Sequence, residues 1–391
     1  MSRMSKVPVR AFAAFTVVAV VAAACGSSSK SSNGGSSGAT VKVGFFGALT
    51  GPNSPQLGIN IANGVQLAID QYNAKGKSPK VQYVPYDSQG DPSLAPAQAN
   101  KVVSDGTVAV VGPAFSGESK AVDPIFEQAG VVSVTPSATN ATLQTNGWKF
   151  WHRIVATDDF QGPAEVKWLT KKLGAKKVGV IDDKSDYGKG LADTVRQGLS
   201  SAGVQVVSDS IDPKGSDFSS TVNNMHSANV DGIMYGGYYA DLTRLMQQLR
   251  SAGVNAPIVS DDGAADNKLL APPEDKETNV YATCACLIAT ADPAASAFVT
   301  AYKAQFNNAE PGTYSTEGYD AANVILDAIG HGNSTAKAIN TYIGAPSFSF
   351  KGLSKTITFD SKGEVPGGAV DIYQGKGGVL VLLGEVDKLV P

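Results

Sequence analysis

Residues Val108 to Thr139, VAVVGPAFSGESKAVDPIFEQAGVVSVTPSAT, narrow the possible folds more than any other stretch of the chain. An apolar run, Val108-Ala109-Val110-Val111, meets a Gly-Pro turn followed by the small hydroxyl residues Ser116 and Ser119. A helical pattern comes next, and then a second apolar run, Val131-Val132-Ser133-Val134. The stretch reads as strand, loop, helix and strand, with small and hydroxylated residues after each strand. In an open parallel sheet the loops beyond the strands' carboxyl ends form the ligand crevice. A helix that starts there points unpaired N–H groups at the crevice and favours an anion. The stretch therefore predicts that Ser116 and the Ser137–Thr139 loop hold an anionic group of a small ligand.

The same alternation runs along most of the chain. Val41 to Phe46 reads as a strand, and Gly47 to Gly58 as a loop rich in Gly, Pro and small polar residues. Ile61, Val65, Ala68, Ile69 and Tyr72 recur at helical spacing. Val81 to Val84 is the next strand, and Ala95 to Ser104 a small-residue helix. The pattern restarts near Asp158. A helix is expected over Gly162–Leu173, a strand over Lys177–Ile181, and a loop over Asp186–Gly190. Helical stripes through Leu191, Phe218 and Leu242 then alternate with strands at Val204–Val207, Val230–Tyr235 and Ile258–Val259. Strands that are plain apolar runs suit a parallel sheet covered on both faces, so the chain is α/β with two successive cores. After about Cys284 the order changes to two helices, through Phe298 and Tyr319, and then strand-like segments near Thr356, Val370 and Val379.

The amino-terminal stretch has its own logic. Met1 to Ala24 has a basic start and an apolar run too short to span a bilayer comfortably. Cys25 follows Ala22-Ala23-Ala24, and Gly26 to Gly38 is almost wholly Ser and Gly, a flexible tether. This resembles a bacterial lipoprotein signal, residues 1–24, with Cys25 as the lipidated first residue of the mature protein and 25–40 as its tether. Ala22 departs from the larger aliphatic usual at that place, and an ordinary cleaved signal with a chance cysteine is the other reading.

The net charge of −3 gives no sign of nucleic-acid binding, and loss of Arg3, Lys6 and Arg10 with the leader makes the mature chain more acidic. The three histidines, His152, His226 and His331, form no metal-type or catalytic cluster in the sequence. Neither a G-x-G-x-x-G after the first strand nor a G-x-x-x-x-G-K-[ST] loop occurs. No enzyme activity, metal or cofactor is expected.

Further segments carry a family resemblance: VGFFGALTGPNSPQLG (Val43–Gly58), VVGPAFSGES (Val110–Ser119), VTPSATNATL (Val134–Leu143), DKSDYGKGLA (Asp183–Ala192), DFSSTV (Asp217–Val222), YGGYYADL (Tyr235–Leu242) and TYSTEGYDAAN (Thr313–Asn323). Together, and in this order, they resemble the substrate-binding lipoproteins of branched-chain amino-acid ABC importers, the leucine/isoleucine/valine-binding family with the type I periplasmic-binding fold. The resemblance implies two Rossmann-like lobes with parallel-sheet cores, joined by three hinge strands, with the ligand between them. The amino-terminal lobe would take 41–156 and 284–354, and the carboxyl-terminal lobe 157–283 and 355–391. It implies an extracytoplasmic, membrane-anchored monomer that presents an amino acid, such as leucine, to ABC permease subunits. A non-amino-acid carboxylate, amide or aromatic acid, or a sensory ligand-binding domain, are the alternatives.

Residue by residue, Ser116, Ser137 and Thr139 match the carboxylate side, and Ser137 and Thr139 offer acceptors to an ammonium as well. Tyr187 and Tyr238 match aromatics that cover the ligand, and extended backbone would let only one of Tyr238 and Tyr239 face the cleft. Asp262 matches the acid that pairs with the ammonium, with Asp261 as the neighbour that could take its place. Tyr314 would line the side-chain pocket, Glu317 could face it or be solvated, and Leu57 stands where an aromatic is common. Each assignment has a plainer reading: a helix cap for Ser116, turn chemistry for Ser137 and Thr139, packing for the tyrosines, an exposed turn for Asp262. Some relatives carry a first-lobe disulfide, but the matching positions near Gln89 and at Phe115 lack cysteine. Cys284 and Cys286 could close only a small, strained ring, and their redox state is left open.

Overall fold

The computed structural model describes residues 40–52, 54–270 and 279–391. The lipidation expected at Cys25 lies outside the described residues.

The first apolar runs pair as a five-stranded parallel sheet. Its strands are β1 (Val41–Gly47), β2 (Val81–Asp87), β3 (Ala109–Val111), β4 (Val132–Thr135) and β5 (Trp151–Arg153), in the order β2-β1-β3-β4-β5. Helices α1 (Pro55–Ala74), α2 (Ala95–Ser104) and α3 (Ser116–Ala129) connect them. Every residue of β3, β4 and β5 is buried. Strand β2 is mixed in burial and contains Pro85, which its edge position tolerates. The order reverses between β1 and β3, so the loops after these two strands splay apart and leave a crevice.

The chain then leaves this sheet. Helix α4 (Asp158–Lys167) continues as a π turn over Trp168–Lys172 and leads to β6 (Lys177–Asp182), α5 (Asp186–Ser201) and β7 (Gln205–Ser210). Next come α6 (Ser219–Ala228), β8 (Gly232–Gly236), α7 (Tyr239–Ser251), β9 (Ile258–Ser260) and β10 (Val280–Cys284). Helices α8 (Ser296–Gln305), α9 (Ser315–Gly330) and α10 (Ala336–Ile343) return to the first sheet, with α9 lying along α1. The axes approach closely because both helices present glycine. A Cβ at Gly64 would fall 2.2 Å from the Ser315 carbonyl oxygen, and one at Gly318 2.6 Å from that of Ile61.

A short hairpin, β11 (Phe350–Lys351) with β12 (Thr356–Ile357), precedes the last passage. Strands β13 (Asp371–Lys376) and β14 (Val379–Glu385) join the second sheet antiparallel, and α11 (Val386–Leu389) ends the chain. The second sheet has the order β14-β13-β10-β9-β8-β6-β7. Its own reversal lies between β6 and β8, so a second crevice opens at the loops after those strands.

Several boundaries differ from the sequence reading. The Asp186–Gly190 segment is the first turn of α5, not a loop, because the Ser185 side chain caps it by accepting from Gly188 N at 2.9 Å. Helix α4 begins at Asp158, behind the cap Thr157, and not at Gly162. Helix α1 begins at Pro55, inside the expected loop, with proline at its first position where no N–H is needed. Cys284 and Cys286 are joined as a disulfide, with Cα atoms 5.1 Å apart, at the end of β10.

Candidate functional site

The two crevices face each other across a small cavity. The first sheet's side contributes Ala114, Phe115 and Ser116 after β3, Ser137 after β4, and Leu57 and Ile61 from α1. The second contributes Tyr187 after β6, Tyr238 after β8, and Asp262 and Gly263 after β9, while Tyr314 reaches in from the start of α9. Ser116, Ser137, Tyr187, Tyr238, Asp262 and Tyr314 thus come together from loops and helix starts spread over most of the folded chain. Thr139 is fully buried just outside the cavity wall.

One pole of the cavity is rich in donors. Ser116 opens α3, whose first-turn N–H groups have no intrahelical acceptor. Its hydroxyl accepts from Asn140 N at 3.2 Å, which ties the β4 loop to the helix start. The Ser137 hydroxyl donates to Ala114 O at 2.7 Å, and that of Thr135 to Pro113 O at 2.7 Å. Glu118, in the same helical turn, accepts from Phe115 N at 3.3 Å and from the Ser88 hydroxyl. Burial pushes its carboxyl up to about 8, although those two bonds favour the charged form.

The other pole is acidic. Asp262 Oδ1 accepts from the Tyr187 hydroxyl at 2.6 Å, and Oδ2 from the Tyr314 hydroxyl. Burial still holds its pKa above the usual range, against the pull of both phenols. Asp261 is turned away and serves the backbone, accepting from Gly237 N at 2.8 Å and Ala264 N at 3.2 Å. The ring of Tyr238 stands 5.4 Å from that of Tyr187 and 5.4 Å from that of Phe115, so aromatic surface bridges the two sides. Tyr238 is extended and faces the cavity, whereas Tyr239 begins α7. Glu317 is neither solvated nor in the cavity wall. It is fully buried and accepts from Leu287 N at 2.8 Å and the Thr316 hydroxyl at 2.7 Å.

Asp158, not itself in the cavity wall, is a buried acid that sequence reasoning missed. It is 2% exposed, and neither of its carboxylate oxygens has a partner of normal hydrogen-bond geometry. Burial first, and the Asp262 charge second, push it up to about 8. The Thr139 hydroxyl and Arg153 pull the other way, close enough to favour the charged form without a well-formed bond. Glu165, whose Oε1 accepts from the Thr283 hydroxyl at 2.7 Å, adds a further buried acid that feels Asp262 and Asp158. Its signal was hidden: an acid just after Thr157 reads as a helix-start residue. No group of three or more His, Cys, Asp or Glu that could hold a metal occurs among the described residues.

The two sides touch. Lys120 Nζ meets Asp186 Oδ1 at 2.6 Å, Asn140 Nδ2 donates to Asp186 O at 2.6 Å, and Lys268 Nζ donates to Gln56 Oε1 at 2.6 Å. The cleft is closed.

A closed cavity between two parallel-rich α/β halves defines a class, the solute receptors with the type I periplasmic-binding fold. The sequence model described as Periplasmic binding protein matches residues 40–378, and the chain belongs to that family of binding receptors, not enzymes. It is 30% identical over 339 residues to the leucine-, isoleucine-, valine-, threonine-, and alanine-binding protein of Pseudomonas aeruginosa, covering 86% of this chain and 90% of that one. It is 37% identical over 232 residues to the Leu/Ile/Val/Thr-binding protein of Salmonella typhimurium, covering 59% of this chain and 63% of that one. Among solved structures it is similar to the branched-chain amino acid transporter substrate binding protein LivJ of Streptococcus pneumoniae in complex with isoleucine. The TM-score is 0.79 at 27% identity, covering 88% of this chain and 100% of that one.

Proposed function

We propose that this chain is the extracytoplasmic receptor of an ABC importer and that it closes on a zwitterionic amino acid with an apolar side chain, branched-chain or similar. Asp262 carries this reading. It is a buried carboxylate in the cavity wall, held by two phenols and opposed by the donor-rich start of α3. An ammonium beside Asp262 would pair a buried acid that has no salt bridge among the described residues, and a carboxylate at Ser116 would meet N–H groups and hydroxyls. Leu57, Ile61, Ala114 and Phe115 offer apolar wall to a side chain. The names of the relatives point the same way.

Ser116, Ser137 and Thr139 then form the carboxylate side, Tyr187 and Tyr238 the cover, Asp262 the ammonium acceptor and Tyr314 the pocket wall. The lobes divide as 41–156 with 284–354 and 157–283 with 355–391. The chain is a monomer delivered to permease subunits and anchored by lipid on Cys25. Replacing that cysteine, Cys25→Ala, should move the protein from the membrane fraction to the soluble one. Retention by the membrane would remove the anchor from the proposal.

The function is tested by thermal unfolding of protein stripped of ligand by denaturation and refolding. A true ligand at about a thousand times its Kd adds roughly 4 kcal/mol. At least one aliphatic amino acid should raise the midpoint. If only carboxylates without an ammonium, amides or aromatic acids do so, the amino-acid reading fails.

A further inference from the structure

At the third passage between the sheets, the turn Asp360–Glu364 is seated on β5. Asp360 Oδ1 accepts from Lys362 N at 2.7 Å and Glu364 N at 3.0 Å, which makes the turn a built unit. Gly363 O accepts from Arg153 N at 2.8 Å. Gly363 has φ +80°, and a Cβ there would fall 2.2 Å from the Trp151 carbonyl oxygen, so the turn approaches β5 more closely than any side chain would allow.

The contact continues through side chains. Glu364 accepts from Arg153 Nε at 2.9 Å and Nη2 at 2.7 Å, a bidentate pair. The remaining nitrogen, Nη1, donates to Ala138 O at 2.8 Å and Asn140 O at 2.8 Å. Arg153 is 0% exposed and Glu364 5%. Asn140 in turn donates across the closed cleft to the carbonyl of Asp186, the residue before Tyr187.

We propose that Arg153 and Glu364 are positioning residues that fix the 137–140 loop and make its shape depend on the third passage between the sheets. A guanidinium is a rigid planar fork, so one face cannot turn with Glu364 without moving the donors that hold Ala138 and Asn140. A lysine, with one mobile charge, could not transmit that orientation. A segment that passes between the two sheets is thereby tied to the loop that carries Ser137 and Thr139 and makes the cross-cleft bond to Asp186. Only the affinity arm of the test below rests on the amino-acid reading.

The decisive comparison is Glu364→Gln, Asn140→Ala and the double variant, in the full chain. In ligand-free protein, hydrogen exchange of the Ser137, Ala138 and Asn140 amides should rise about tenfold or more in Glu364→Gln, while amides of β8 and β9 keep their wild-type rates. Uniform acceleration across both sheets, or none, would reduce the pair to a general stabiliser and overturn the proposal. For a bound aliphatic amino acid, the losses in affinity from Glu364→Gln and Asn140→Ala should be non-additive, because both act through one loop. Additive losses overturn it. If no amino acid binds the wild type, the functional reading has failed, and the exchange result still decides the positioning role. Should Glu364→Gln not fold, Glu364→Asp keeps the charge, shortens the reach and should show the same local pattern more weakly. An unaltered loop in Glu364→Asp would then count against the proposal.

Discussion

Asp262 is a carboxylate taken out of water and given two phenolic donors, from Tyr187 and Tyr314. Asp262→Asn keeps the shape and much of the hydrogen bonding but removes the charge. Affinity for an aliphatic amino acid should fall by about 2–4 kcal/mol, the usual loss when one member of a buried charge pair goes. The matching acid without its amino group should bind about as well to the variant as to the wild type. Calorimetric titration of both ligands measures this, and equal losses for the two would show that the ammonium is not held at Asp262. At this scale the sequence was most legible where a functional side chain directly follows a strand, as Ser116 and Tyr187 do. Asp158 was not legible, because what singles it out is the Asp262 carboxyl, more than a hundred residues away in the chain and adjacent only in the fold. The choice between Asp261 and Asp262 likewise needed the backbone bonds from Gly237 and Ala264.

Helices α1 and α9 pack through backbone at Gly64 and Gly318, and Tyr314 immediately precedes α9. Gly64→Val puts side-chain atoms where the Ser315 carbonyl now lies. It should cost about 1–3 kcal/mol of stability, read as a lower urea midpoint with an unchanged m-value. Ligand affinity should fall with it, since the strain falls one residue from Tyr314. An unchanged midpoint would mean that the helices can separate freely. Among elements, the apolar runs of β1, β3, β4, β6 and β8 showed clearly in the sequence because their residues are buried on both faces. Strands β5 and β10 did not: Trp151-His152-Arg153 and Val280-Tyr281-Ala282-Thr283-Cys284 mix polar residues into short strands, and their partners, not their composition, make them strands. Helix α10 escaped notice for a related reason, since only Ile339 and Ile343 of its eight residues are buried.

For the whole molecule, buried acids set the response to pH. Burial raises Glu118 and Asp158 to about 8, and Asp183 and Glu317 to about 7. An acid with a raised folded-state pKa binds its proton more tightly in the folded chain, so its contribution is present below the unfolded value and is lost as pH rises through the folded one. His152, lowered to about 4 by burial, works in the opposite sense between about 4 and its ordinary 6.5. Above 6.5 only the acids act. The ligand-free protein should therefore melt several degrees lower at pH 8.5 than at pH 6.5, and a saturating amino acid should narrow the gap by neutralising Asp158 and Asp262. A midpoint that rises over this interval would mean that these carboxyls are charged in the folded protein already. The two phenols on Asp262 come from opposite walls, Tyr187 from the second sheet and Tyr314 from the helix laid along α1. When the walls part, Asp262 keeps one phenol and gains water. Ligand capture is then also a proton transaction: an ammonium seated at Asp262 offsets the charge that helps hold Asp158 at about 8, and a hydrogen ion leaves Asp158 for the medium near pH 7. The apparent enthalpy of binding should accordingly track the ionisation enthalpy of whichever buffer receives it.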